Sequence, residues 1–394
     1  METPKGFFAG ACHCGIRSEQ SKDDVAILYS DTVCQVGAVY TKNRVKADPL
    51  LLDKEVLKNH EAQAIIVNSG NANACAPNGM INAKKEQAAA ASLLNLPANQ
   101  VLVASTGVIG VELPIDRIEK NIQSIKFEKN IELAAKAIMT TDTREKIVSL
   151  KTKIQGKEIS LLGICKGSGM IHPNMGTMLA FILTDCTIEG NLLQKVLLEN
   201  TTKTFNRVSV DGDTSTNDMC IVMANGQADN PMIADEGEDL NTFKKALHQV
   251  MEQLAIKIAK DGEGASRLIT CTVKQASSEQ QAEILAKSVV SSSLLKAAMF
   301  GHDANWGRIL CAMGYSGAEF DPTLVDVVFS SSEGKIEVCL NGKGIEFSEE
   351  KATQILSQDE VFIFINLHSG DEQCTCWGCD LTYDYVKING DYRS

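Results

Sequence analysis

Gly176 and Thr177 stand where a glycine-rich stretch gives way to an apolar one, and that junction could do chemistry on its own backbone. Gly167, Gly169 and Gly176 surround small and polar residues; residues 178–184 then read as a buried strand. With no side chain on Gly176 to block it, the Thr177 hydroxyl can reach the preceding carbonyl. Attack there is an N-to-O acyl shift, and hydrolysis of the resulting ester frees a new N-terminus at Thr177. A threonine hydroxyl is a weak nucleophile until a base takes its proton. A free α-amine has a reference pKa of roughly 7.7–8.0, so a substantial fraction is neutral near physiological pH and suited to that task. One residue would then supply nucleophile and base, held rigid by the strand behind it. Taken alone, a Gly-Thr pair is more often a plain turn or strand start.

The elements that must position this junction alternate along the chain, which predicts an α/β or α+β class. Residues 63–67, 101–104, 159–164, 178–184 and 361–367 read as strands. Asn82 and Asn130 are placed to cap helices, the first Ala-rich and ending before Pro97, the second reaching Met139. Phe243, Leu247, Val250, Leu254 and Ile258 recur at helical spacing, with an end near Asp261-Gly262. Residues 336–340 followed by Asn341-Gly342 predict a hairpin, and residues 381–388 a last strand. No repeat, low-complexity tract or linker marks a domain boundary.

Composition narrows the function classes. The 394 residues carry a net charge of −12, which disfavours nucleic acid and anionic membrane as partners, because both reward clustered Lys and Arg. No apolar run is long enough to cross a bilayer, and the first ten residues lack a secretory signal. The 13 cysteines are therefore expected reduced, in cytoplasm. Cys12, Cys14, Cys374, Cys376 and Cys379 do not follow the paired spacing of zinc ligands and read as small buried residues. Asp211, Asp213 and Asp218 depart from a calcium-loop spacing and read as caps and turns.

The stretch 166–179, KGSGMIHPNMGTML, resembles the cleavage motif of the ornithine acetyltransferase family. Residues 41–44, 67–75, 105–110, 137–143 and 204–218 resemble the family too, as do 261–265, 300–309, 377–386 and 388–394. These blocks follow family order over nearly the whole chain. The resemblance implies a layered αββα sandwich of the family's own type, cut between Gly176 and Thr177 into an α chain, 1–176, and a β chain, 177–394, that stay associated, as α2β2 or larger. It implies a ping-pong reaction of arginine biosynthesis: Thr177 takes acetyl from N-acetyl-L-ornithine, and L-glutamate accepts it to give N-acetyl-L-glutamate. No metal or organic cofactor is implied; acetyl-CoA stays open as a second donor.

The resemblance further implies an oxyanion hole at Thr106 and Gly107. It implies substrate contacts from Thr140, Lys166, Thr177, Glu263, Asn389 and Ser394. Lys166 would offer a cation to a substrate carboxylate and Glu263 a carboxylate to an ammonium. A functional Ser394 requires the chain end to be tucked into the site, where ends are ordinarily frayed. Trp306 and Arg308 read as structural, and His172 as packing. The chain departs from the family at Gly176, where Ala is usual, and at Arg144-Glu145, where a proline commonly precedes Lys146. A hydrolase of related chemistry, giving the acyl group to water, and a non-catalytic protein retaining the fold are the competing readings.

Overall fold

The computed structural model describes residues 2–172 and 178–391. In chain order its strands are β1 (Phe7–Cys12), β2 (Val25–Tyr40), β3 (Glu61–Asn71), β4 (Val101–Val108), β5 (Lys146–Ile154), β6 (Lys157–Lys166), β7 (Leu179–Thr184), β8 (Val208–Ser209), β9 (Met219–Ala224), β10 (Leu268–Ala276), β11 (Asp326–Ser331), β12 (Gly334–Leu340), β13 (Lys343–Gly344), β14 (Glu360–Asn366) and β15 (Glu372–Cys379). They form two mixed sheets. The first runs β4-β3-β2-β9-β7-β6-β5 with β1 paired to β2; the second runs β13-β12-β11-β14-β10-β15-β8.

β2 joins the halves of the first sheet. Its start pairs with β1 and β3, a register shift follows Tyr29, and its end pairs with β9. Residues from both halves, including Leu28, Ile65 and Leu102 on one and Leu162, Phe181 and Ile221 on the other, share a single core. The alternate residues, on the opposite faces, pack on helices. Ile66 and Val103 meet the Ala-rich helix Gly79–Leu94. Ile182 and Val222 meet the helices Gly190–Lys203 and Glu238–Lys260. Strand alternation thus fills both faces of both β layers, giving helix, sheet, sheet, helix. The second sheet buries its own apolar face against the helix Glu279–Ser291 and its neighbours.

The helix predicted from Phe243 to Ile258 spans Glu238–Lys260 and buries all five of the spaced residues. Burying each such side chain contributes about 1.5–3 kcal/mol. The hairpin at residues 336–344 forms, with Asn341 and Gly342 both at positive φ (48° and 71°) as its tight turn requires. Three expectations are corrected. The segment 381–388 is not a strand: Tyr383–Asp391 is helical, with the Thr382 hydroxyl accepting from the Tyr385 N–H at 3.4 Å and Asp384 favourably placed in the first turn. Asn82 does not cap its helix, which starts at Gly79; its amide donates to Glu112 instead, at 2.6 Å. The helix after Asn130 ends at Ala137, short of Met139, although the Asn130 side chain does accept from the Glu132 N–H at 3.3 Å.

β6 and β7 are antiparallel neighbours, Lys166 facing Leu179 and Cys165 facing Ala180. β7 is in turn flanked by β9. The Gly176–Thr177 bond falls between β6 and β7, both interior to the sheet. A cut there would leave the two strands joined by their ladder of hydrogen bonds.

Candidate active site

The first sheet ends at a polar cleft. β4 brings Thr106 and Gly107 to it, and β6 brings Lys166. Thr140 comes from the loop after the helix Glu132–Ala137. Glu263 follows the helix Glu238–Lys260, and Asn389 lies on the C-terminal helix. The six positions, drawn from five separate stretches of sequence, line the same space. Gly176, Thr177 and Ser394 lie outside the described residues. β7, which starts two residues after Thr177, begins beside a smaller hollow lined by Thr106, Lys166, Met178 and Asn217.

Gly107 is where the chain leaves β4. It pairs in parallel with Gly70 of β3, and both have positive φ, 136° and 100°. A Cβ on Gly107 would sit far inside contact distance of the Gly70 carbonyl carbon and the Asn71 nitrogen. Only glycine allows this backbone to turn into the cleft so close to its neighbour. Asn217 secures the approach, donating to the Ser105 carbonyl (2.8 Å) and the Ala72 carbonyl (2.6 Å).

Lys166 is buried and its ammonium donates to Thr106 Oγ1 at 3.3 Å. With a lone pair of that oxygen engaged, the Thr106 hydroxyl hydrogen is directed away from the lysine. Burial pushes the Lys166 ammonium pKa down; the charges of Asp142 and Glu263 partly offset this, while Lys146 and Arg17 add to it. The solvated lysine that a surface reading would give is therefore not what the chain builds.

Glu263 is also buried, and Asn389 donates to its Oε2 at 2.7 Å. The same Asn389 amide donates to the Tyr385 carbonyl at 3.1 Å, within its helix. Thr382 donates to the Gly264 carbonyl at 2.6 Å, tying the C-terminal helix to the Glu263 loop. Gly169 faces the Glu263 carboxylate so closely that a Cβ there would overlap all three carboxyl atoms. Gly169→Ala is therefore expected to displace Glu263 and raise the KM for an ammonium-bearing substrate by about tenfold, the value of one charge-assisted hydrogen bond. Steady-state kinetics with an unchanged melting temperature would check it.

Several residues at or near the cleft carried no role in the sequence. Thr141, Ser215, Thr216 and Asn217 line it, and the last three sit inside a stretch that resembled the family without an assigned chemistry. Asp211 accepts from the N–H groups of Met170 (2.6 Å) and Ile171 (2.8 Å), a backbone cap as its context indicated. His172 contacts Ser209 Oγ through Nδ1 at 3.0 Å, and burial with the Lys287 charge holds its pKa down to about 4. It is a neutral packing group. Arg308 donates to the Leu294 carbonyl at 2.6 Å, away from the cleft. Cys12, Cys14, Cys374, Cys376 and Cys379 are buried. Among the described residues no group of three or more His, Cys, Asp or Glu is placed to hold a metal ion, and no helix is long and apolar enough to cross a membrane.

An α/β fold of two mixed sheets, with hydroxyl, ammonium and carboxylate groups converging where a strand end turns sharply on glycine, is a scaffold equipped for acyl-group chemistry on small charged molecules. The ArgJ family model matches residues 8–394, and the chain belongs to the ArgJ family. It is 49% identical to the arginine biosynthesis bifunctional protein ArgJ of Caldanaerobacter subterraneus subsp. tengcongensis, over 100% of this chain and 98% of that protein. It is 46% identical to the protein of the same name in Thermotoga neapolitana, with 100% of both covered. Among solved structures, the arginine biosynthesis bifunctional protein ArgJ of Bacillus halodurans is similar, at 47% identity and a TM-score of 0.50. That match covers 53% of this chain and 96% of the solved one.

Proposed function

We propose that this chain transfers the acetyl group of N-acetyl-L-ornithine to L-glutamate in arginine biosynthesis, by way of an acetyl ester on Thr177. The observation that carries the reading is the convergence of Thr106, Gly107, Thr140, Lys166, Glu263 and Asn389 on one cleft, at the end of the sheet where the strand following Thr177 begins.

The chain first cuts itself. The Thr177 hydroxyl attacks the Gly176 carbonyl, the amide nitrogen leaves as the Thr177 amine, and water releases Gly176 as a carboxylate. Residues 1–176 and 177–394 then remain together through the β6–β7 ladder.

In the first half-reaction the Thr177 amine takes the hydroxyl proton as the oxygen attacks the acetyl carbonyl. The Thr106 hydroxyl and the Gly107 N–H face the oxyanion that develops. The proton passes to the departing nitrogen and ornithine leaves. The α-amine of glutamate attacks the ester in the second half-reaction. Lys166 offers a cation to the carboxylate of either amino-acid substrate, and Glu263 offers a carboxylate to the side-chain ammonium of N-acetyl-L-ornithine. A carbonyl polarised in this way needs no metal or organic cofactor. Acetyl-CoA would be a second donor to the same threonine, in keeping with the bifunctional relatives.

Incubation with N-acetyl-L-ornithine, with and without L-glutamate, tests the reading against hydrolysis. N-acetyl-L-glutamate is expected only when glutamate is present, with little free acetate. Acetate released equally in both would make the chain a hydrolase.

A further inference from the structure

Beneath the cleft lies a cluster of charges that the proposed reaction does not use. Lys146, the first residue of β5, is 1% exposed. Its ammonium donates to Asp142 Oδ1 and Asp261 Oδ2, both at 2.6 Å, and both carboxylates are buried. Each carboxylate holds a different loop. Asp142 accepts from the N–H of Thr140 at 3.0 Å and from the N–H of Gly167, next to Lys166, at 2.8 Å. Asp261, two residues before Glu263, accepts from the Thr143 N–H at 3.1 Å and from the Thr143 hydroxyl. Ser168 closes the circuit: its carbonyl accepts from the Glu263 N–H at 2.9 Å and its hydroxyl meets that of Thr141 at 2.7 Å.

We propose that Lys146 is a positioning residue for acetyl transfer. Through Asp142 and Asp261 it holds Thr140, Lys166 and Glu263 at one separation, and so sets affinity for the amino-acid substrates without touching them. The inference rests on the substrate reading given above. A buried ion triad is weak evidence for stability, since well-packed apolar residues often serve as well or better. Here apolar replacements would leave the N–H groups of Thr140, Gly167 and Thr143 without acceptors. The triad also reaches Lys166 electrostatically. Burial drives Asp142 up, but Lys166, Lys146 and the Gly167 N–H bring it down to about 2, so it is a permanent anion beside a buried cation. The loop between Thr140 and Lys146 is held at both ends by these two carboxylates, through the N–H groups of Thr140 and Thr143.

The test uses the full-length, self-processed protein. Acetyl transfer from N-acetyl-L-ornithine to glutamate by the wild type is measured first; its absence would count against the substrate reading alone. Lys146→Met is then expected to raise the KM of both substrates by about tenfold, with kcat within about threefold of wild type, because ground-state grip is lost rather than the nucleophile. A folded Lys146→Met enzyme with wild-type KM values would overturn the proposal. Should that variant fail to fold, the isosteric Asp142→Asn decides. Lys166 faces Asp142 and Glu263 on one side of the balance and Lys146 and Arg17 on the other. Losing one anion is expected to move the alkaline limb of kcat/KM to lower pH by about one unit. A limb that stays in place would overturn the proposal, since a purely structural carboxylate would change the melting temperature and leave the pH profile alone.

Discussion

Thr177→Ala yields an uncut chain of 394 residues with acetyl transfer reduced by about 10⁴–10⁶-fold, the scale on which enzymes lose rate when a covalent nucleophile is removed. Two functions fail together because one hydroxyl serves both. It attacks the Gly176 carbonyl during maturation and the acetyl carbonyl during turnover. No neighbouring group replaces it: the described cleft offers hydroxyls at Thr106, Thr140, Thr141, Ser215 and Thr216, but none of these begins a chain and carries its own amine. Thr177→Ser keeps the hydroxyl and the amine and is expected to cut itself and turn over, at reduced rate. Denaturing gels and a coupled acetylglutamate assay check both variants.

The second large effect is at Gly107. Its φ of 136° lies in a region that side chains rarely adopt, and a Cβ there would overlap the backbone of Gly70 and Asn71. Backbone cannot swing aside as the tip of a side chain can, so the strand end must move. Gly107→Ala is expected to lower kcat by about 10²–10³-fold, the usual consequence of losing one oxyanion donor. Substrate contacts from Lys166 and Glu263 come from other loops, so KM is expected to change by less than about threefold. The split between kcat and KM distinguishes this variant from Lys146→Met, which is expected to do the reverse. A Gly107→Ala enzyme with wild-type kcat would remove Gly107 from the oxyanion hole.

Much of the scaffold was legible in the residue order, for physical reasons that differ from element to element. The helix Glu238–Lys260 announced itself because five apolar residues recur with its period, and all five are buried. Strands such as β4 and β6 were seen short, because periodicity marks their apolar centres and not their polar ends, where Thr106 and Lys166 sit. The last segment misled. Leu381, Tyr383, Tyr385, Val386 and Ile388 carry β-favouring side chains, yet a threonine cap and the docking of Thr382 on Gly264 fix a helix there. Asn82 looked like a cap and is an interior helix residue bonded to Glu112.

The site divides in the same way. Family resemblance picked out Thr106, Gly107, Thr140, Lys166, Glu263 and Asn389 one at a time. That they share one cleft depends on the crossing of β2 and on the return of the C-terminal helix, neither of which any local pattern contains. Lys146 was invisible as a functional residue: a lysine opening a strand ordinarily points to solvent. Its burial exists only because Asp142 and Asp261, remote from one another in sequence, arrive on either side of it.

Intact-protein mass spectrometry of the active enzyme, after exposure to N-acetyl-L-ornithine with glutamate withheld, tests the central claim most directly. The account predicts two polypeptides, residues 1–176 and 177–394, with a single acetyl group on Thr177 of the second that disappears when glutamate is added. A fully active enzyme consisting of one uncut polypeptide, or an acetyl group carried on any other residue, would contradict it.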